Sequence, residues 1–308
     1  MNPDRWLFTV QTPFSAEAFV NSSLVVGDVV MLVDTGIVGK SYDLIAARLH
    51  ELGLSIKDLR LIINTHGHSD HVGNNGRFVR ASGCLVAAHA RAVPWIDDRE
   101  VAAREIAGRY PDVIPYTDAI RREYQRLIEE RPARVNMTLA DGTSIRAADD
   151  VVFRVLELPG HTWGEIGLLE ENERILLVGD VLVPLEANQL IIYEDADVFR
   201  ATLRRLRQLL EEGVVASVVA GHRARLESAE AIRWIDDILA MIASIERWTL
   251  ECIGAAQKPV PALEVCRYVA GHAKRNPDWR AMVTVGGELA RLEQQGQLRV
   301  SDGLWQAV

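Results

Sequence analysis

The chain has 308 residues, 48% of them hydrophobic. That is enough for one large α/β domain with a small appendage, or for two modest domains. A formal net charge of −9 disfavours nonspecific nucleic-acid binding. The three cysteines, Cys84, Cys252 and Cys266, are scattered and odd in number, with no Cys-x-x-Cys pair. They argue against a disulfide framework and for a reducing compartment. Met1–Trp6 carries no long apolar leader, and no stretch reaches transmembrane length, so a cytoplasmic protein with no membrane partner is expected.

In chain order, Trp6–Val10, Phe19–Val26 and Val29–Asp34 read as strands, the last two joined across Gly27-Asp28 as a hairpin. Tyr42–Leu52 reads as a helix, with Leu44, Ile45, Leu49 and Leu52 at helical spacing, Ser41 as its cap and Gly53 as its stop. His50 falls on its surface. The apolar run Leu61–Asn64 is a buried strand that delivers Thr65-His66-Gly67-His68-Ser69-Asp70-His71-Val72-Gly73-Asn74. Three histidines and an aspartate, His66, His68, Asp70 and His71, fall within this loop. A core cannot satisfy so many imidazoles side by side. Imidazole and carboxylate are ligands for zinc, iron or manganese, so the loop is a metal site. Cys84–Ala88 is a further strand ending at His89, which lines the pocket or is structural.

Residues 90–135 break the strand rhythm with charged helical segments, Arg99–Arg109 and Asp118–Glu130, separated by Pro111 and Pro115. They form an insertion whose Tyr110, Tyr116 and Tyr124 face substrate or pack. Strands resume at Ser144–Arg146 and Val151–Leu158, then Gly167–Leu169 and Arg174–Val178. Asp197–Glu212 is an amphipathic helix and Val214–Ala220 a strand. Ala229–Ile253 is a long helix with Trp234, Ile238, Ile242 and Ile245 on one face. Gly254 and Pro259-Val260-Pro261 break the chain, and two helices (262–270 and about 283–295) precede a short hairpin.

Thr-His-Gly-His-Ser-Asp-His-Val-Gly-Asn resembles the signature of the metallo-β-lactamase fold superfamily. Further matches follow in order: Pro159-Gly160-His161-Thr162, then Gly179-Asp180 after Ile175–Val178, then Gly221-His222 after Ser217–Ala220. The resemblance covers about residues 5–225. It implies an αββα four-layer sandwich over 1–254, with the 90–135 insertion as a lid. The segment 255–308 is then a helical or winged-helix-like C-terminal module. It also implies two divalent metal ions, zinc first, with iron or manganese as alternatives. His66, His68 and His161 would hold one ion; Asp70, His71 and His222 would hold the other; Asp180 would bridge. Asp34-Thr35-Gly36 would support the site without ligating, or form a simple turn.

Asp180 stands where many true β-lactamases of this fold carry cysteine, so the resemblance is to the glyoxalase II, lactonase and thioesterase branch. The implied function is hydrolysis of a thioester, lactone or ester of a small acyl substrate by a metal-bridging hydroxide, with Asp70 guiding its proton. No Gly-x-Ser-x-Gly offers a serine nucleophile instead. The alternatives are a phosphodiesterase or ribonuclease of the same fold, and a metal-binding regulatory protein acting through a partner. The lid and the C-terminal helices are candidate surfaces for a homodimer. Where the family often has Pro-Gly-His-Thr-Pro-Gly-Ser, this chain has Trp163 for the proline and Glu165 for the serine. Trp163 either walls an apolar pocket or belongs to the core.

Overall fold

A computed structural model describes residues 5–13, 18–186, 190 and 192–308. Met1–Asp4, at the start read above as lacking a leader, lie outside the described residues. Two six-stranded sheets stack face to face. The first holds β1 (Leu7–Pro13), β2 (Phe19–Val25), β3 (Val30–Val33), β4 (Leu59–Ile63), β5 (Leu85–His89) and β6 (Met137–Leu139), in that spatial order. Strands β1 to β3 pair antiparallel, and β3 to β6 pair parallel. The second sheet holds β7 (Ser144–Ala148), β8 (Val151–Glu157), β9 (Ile166–Glu170), β10 (Ile175–Val178), β11 (Ser217–Val219) and β12 (Leu226–Glu227), in the reverse spatial order. Only the β10–β11 pair in it is parallel.

The continuous apolar runs follow from burial on both faces. Met31, Val33 and Ile63 point into the layer between the sheets, against Phe153, Val155, Leu168, Ile175 and Leu177. Their chain neighbours Leu32 and Ile62 point outward, onto helices α1 (Lys40–Glu51) and α3 (Asn75–Ser82), where Ile45, Leu49 and Phe78 wait. In the second sheet Leu176 and Val178 point outward instead, onto α7 (Ala196–Glu211) and α8 (Ser228–Gly254). This period-2 alternation produces the αββα sandwich expected above.

Local differences have local causes. Ser41 does not cap α1. Gly39 takes a positive φ of 79° and starts the helix earlier, and the Ser41 hydroxyl accepts from the Ile37 N–H inside the first turn. In the insertion, α2 (Ser69–Val72) having already closed the histidine loop, the chain forms α4 (Val93–Asp97), α5 (Arg99–Ala102), a π-turn at Ala103–Ala107, and α6 (Asp118–Gln125). Its tyrosines pack: Tyr124 is buried against Trp279, and Tyr116 lies on Gly108. Trp234 is only half-buried, with its indole donating to the Val183 carbonyl (3.0 Å).

The C-terminal elements run in the order β13 (Val260–Pro261), α9 (Ala262–His272), α10 (Trp279–Gln294), β14 (Leu298–Ser301) and β15 (Leu304–Ala307). Their small sheet is ordered β13-β15-β14. Helix α10 begins a turn earlier than the sequence suggested, because Asp278 caps it through the N–H groups of Arg280 and Ala281. Its inner face shares a core with the second sheet. There Tyr193 donates to Glu288 (3.1 Å), and Arg291 clamps both Glu288 (2.5 Å) and Glu246 (3.0 Å). No helix among the described residues is long and apolar enough to cross a membrane.

Candidate metal centre

The polar cluster lies where β3, β4, β10 and β11 end and where β8 turns into β9. All seven residues singled out from the sequence come together there. Two groups form, His66, His68, His161 and Asp180 in one, and Asp70, His71 and His222 in the other. Within each group the ligand atoms lie within 4.8 Å of one another. Asp180 touches both: its Oδ2 is 3.7 Å from His161 Nε2 and 3.3 Å from His222 Nε2, and its Oδ1 is 3.4 Å from His71 Nε2.

Three of the five rings are aimed by a hydrogen bond from their far side. His161 Nδ1 donates to the Ile192 carbonyl (3.1 Å), His222 Nδ1 to the Phe19 carbonyl (2.6 Å), and His71 Nδ1 to Asp34 Oδ2 (2.8 Å). These bonds fix tautomers that turn Nε2 inward. Asp34 also accepts from the Thr65 N–H and hydroxyl, so it ties the end of β3 to the histidine loop. The supporting role implied for Asp34-Thr35-Gly36 is therefore realised. His89 is elsewhere, paired with Glu157 (3.3 Å) and accepting from the Arg91 N–H, and is structural.

Several supports were not read from the sequence. Asn21 on β2 donates to the carbonyls of Ala220 (2.8 Å) and Arg223 (2.6 Å), bracketing His222. Asn64, Asn74 and Asn75 brace the histidine loop against Thr35 and Ile37. Glu165 is buried and accepts from the Asp180 N–H (2.6 Å). The signals for these were a polar side chain ending or interrupting an apolar run at Asn21 and Asn64, and Glu165 in place of the motif's serine; Asn74 and Asn75 carried none beyond their place beside the histidine loop. Gly221 answers to the same crowding. A Cβ there would sit 2.6 Å from His71 Cε1 and 2.8 Å from Asp180 Oδ1.

Electrostatics divide the two groups. Burial, reinforced by the neighbouring rings, holds His66 well below its ordinary pKa and His68 down to about 3. Burial also lowers His161. In the second group burial opposes charge, but Asp180 and Asp70 outweigh it and hold His222 up to about 10. Asp180 and Asp34 likewise raise His71. Burial and the nearby Asp180 raise Glu165 well above the carboxylate range.

The donor set fits divalent cations. His161 Nε2 and His68 Nδ1 are 3.1 Å apart, and His161 has committed its only proton to Ile192. His66 Nε2 is buried without a hydrogen-bond partner, and His71 Nε2 and Asp180 Oδ1 face each other as a buried ion pair at 3.4 Å. Neutral imidazole nitrogens and carboxylate oxygens converging in a dry space are resolved by a cation that accepts their lone pairs.

Residues 16–222 match the family model of the metallo-beta-lactamase superfamily, and the chain belongs to that family. It is 28% identical over 169 residues to the chicken (Gallus gallus) protein named acyl-coenzyme A thioesterase MBLAC2, a match spanning 53% of this chain and 56% of that relative. The chain thus spans little more than half the length of that relative. It is 24% identical to the probable metallo-hydrolase YqjP of Bacillus subtilis, over 93% of this chain and 91% of the relative. A metallo-beta-lactamase family protein of Thermus thermophilus shares the fold over 99% of both chains, with a TM-score of 0.80 at 22% identity.

Proposed function

We propose that this protein is a dinuclear metal-dependent hydrolase of a thioester, lactone or ester of a small acyl substrate. The observation that carries the reading is the convergence of two ligand groups on Asp180, with the ligand atoms turned inward. His66, His68 and His161 would hold one ion and Asp70, His71 and His222 the other, with Asp180 shared. Divalent ions there, zinc first among candidates, would supply Lewis acidity and acidify water near neutral pH.

The chain's own residues do the rest. Asp34 holds His71 in one tautomer, and the Ile192 carbonyl does the same for His161. Glu165 anchors the backbone of Asp180. Asp70 is the most exposed ligand side chain of the second group, at 21% against 0% for His71 and 9% for His222. That exposure supports the reading in which its carboxylate faces substrate and carries a proton to the leaving group. Trp95 stacks on His68 with its ring 5° from parallel and the centroids 6.2 Å apart, which limits the turning of that ring.

The name of the chicken relative supports an acyl substrate. The nuclease alternative finds less support. In the winged-helix order of elements the helix that would enter a groove is α10, and eleven of its sixteen residues are buried, Thr284, Glu288 and Arg291 among them. We divide the chain on this reading into a catalytic region, 1–254, and an integral C-terminal module, 255–308.

The test is initial rates on an acyl thioester, a lactone and a phosphodiester, each with and without chelator. Chelator-sensitive turnover of the thioester or lactone, abolished by His68→Ala with the fold retained, is the expected result. Turnover of the phosphodiester alone would overturn it, as would a fully active His68→Ala variant.

A further inference from the structure

The group of His66, His68 and His161 is held from outside the sheets by the early part of the insertion, residues 90–109. His68 has its Nδ1 3.1 Å from His161 Nε2, and among the described residues its Nε2 has no hydrogen-bond partner. The neighbour that limits its turning is the indole of Trp95 on α4, at a spacing and angle that suit offset aromatic stacking. Gly67, between His66 and His68, makes this approach possible. A Cβ there would lie 2.9 Å from Trp95 Cβ.

Trp95 is itself anchored. Its Nε1 donates to Glu105 Oε2 (2.8 Å). Glu105 lies in the π-turn Ala103–Ala107, a rare conformation that is frequent at functional sites. Just past this turn stands Arg109, whose Nε donates to the Glu105 carbonyl (3.0 Å). The Arg109 guanidinium pairs with Glu194 (2.5 Å), and the Glu194 N–H donates to the carbonyl of Gly160 (2.8 Å), next to His161. On the other side of His161, Gly164 meets the insertion at backbone distance, where a Cβ would lie 2.7 Å from the Ala92 nitrogen. Trp95, Arg109 and Glu194 also line a cavity of about 230 Å³ beside the centre.

The other group is aimed from elsewhere. His71 is oriented by Asp34 at the end of β3, and His222 by the Phe19 carbonyl on β2. The later part of the insertion meets α2 at Gly73, through the Glu129 N–H (3.1 Å). Among the described residues, no hydrogen bond, ion pair or ring contact joins residues 90–109 to Asp70 or His71.

We propose that residues 90–109 are a brace for one ion of the pair. Trp95 is a positioning residue for His68, anchored by Glu105, and Arg109 with Glu194 positions the loop that carries His161. The insertion thereby sets the affinity of the ion held by His66, His68 and His161, independently of the ion held by Asp70, His71 and His222. The proposal rests on the dinuclear reading above. Rings already fixed in the binding orientation lose less rotational freedom when an ion binds. Removing the stacked indole, or its anchor, therefore weakens one ion and leaves the other as it was.

The experiment measures zinc affinity of the full chain by competition with a chromogenic chelator, in two backgrounds. His222→Ala keeps the group of His66, His68 and His161, and His161→Ala keeps the other. Trp95→Ala should lower zinc affinity by about tenfold to a hundredfold in the first background and leave it unchanged in the second. Trp95→Phe, which keeps a stacked ring, should lose less than Trp95→Ala. Glu105→Ala, at a side chain 47% exposed, should act in the same direction and carries the test if Trp95→Ala fails to fold. Equal loss in both backgrounds, or loss in neither, would overturn the brace, and two zinc ions per unsubstituted protein would then leave the dinuclear reading standing. One zinc ion per unsubstituted protein would overturn the dinuclear reading, and a loss confined to the first background would still uphold the brace. No zinc bound at all would overturn both.

Discussion

Thr284 lies on α10, 123 positions after His161 in the chain, yet its hydroxyl holds the segment that aims that histidine. It accepts from the Ile192 N–H (3.0 Å) and donates to the Leu190 carbonyl (3.3 Å). The carbonyl of Ile192 in turn accepts from His161 Nδ1 (3.1 Å). Thr284→Val keeps the shape and removes the hydroxyl at a fully buried position. The Ile192 N–H then has no partner in a dry space, at a cost of about 1–3 kcal/mol in unfolding free energy. Because Ile192 sets the tautomer of His161, metal affinity should also fall by about tenfold or more. Urea unfolding of chelated protein reads the first effect, and competition with a chromogenic chelator reads the second. Thr284→Ser, which retains the hydroxyl, should restore affinity. If Thr284→Val loses stability but binds metal as wild type does, the residue is structural only, and the proposed relay from α10 to His161 is wrong.

Three further outcomes are expected. Gly221→Ala should abolish tight metal binding at both groups, because the added methyl meets His71 and Asp180 at 2.6 and 2.8 Å; metal content after gel filtration checks this. In chelated protein His222 is raised from 6.5 to about 10, so its paired charge stabilises the fold fully below about pH 6.5, and this contribution is lost as pH rises through 10. Metal must displace that proton, so affinity should rise with pH over the same window, with proton release visible by calorimetry in buffers of different ionisation enthalpy. A pH-independent affinity would contradict the pairing of His222 with Asp70 and Asp180. Cys266 is buried, and burial pushes its thiol up to about 12. It should stay unmodified by iodoacetamide in the native protein and react only on unfolding, as read by mass spectrometry.

The motifs of the candidate site were legible because their histidines and aspartates are clustered or flanked by glycine, and each follows an apolar run of strand length. A buried run ending in polar rings leaves few physical alternatives. Asn21 and Thr284 were not legible, because their roles depend on neighbours about 200 and 92 positions away that only the fold brings near. Ser41 misled because serine before a helical pattern is a good cap, whereas the positive φ at Gly39 had already begun the turn. Strands β6, β12 and β13 have three, two and two residues, too few for a period to show. Trp163, ambiguous between core and pocket in sequence, proves 40% exposed, with the Arg91 guanidinium 5.1 Å from its ring centroid.

The C-terminal module is best understood through two adjacent glycines in the middle of α10. Glycine within a helix costs roughly 1 kcal/mol relative to alanine, so a pair there requires a reason. A Cβ at Gly286 would overlap the Tyr110 ring, and one at Gly287 would lie 2.5 Å from the Glu194 carbonyl oxygen. Tyr110 belongs to the insertion, and Glu194 belongs to the segment that borders the cavity and follows Ile192. One helix face thus receives the insertion, the cavity wall and the segment that aims His161, within two turns. Packing at backbone distance leaves little freedom for these pieces to move independently. A module that served only as a separate binding domain would not need its central helix stripped of side chains where it meets the metal region. The geometry of α10 is that of a structural wall of the site, and it explains why a residue there can be expected to change metal affinity.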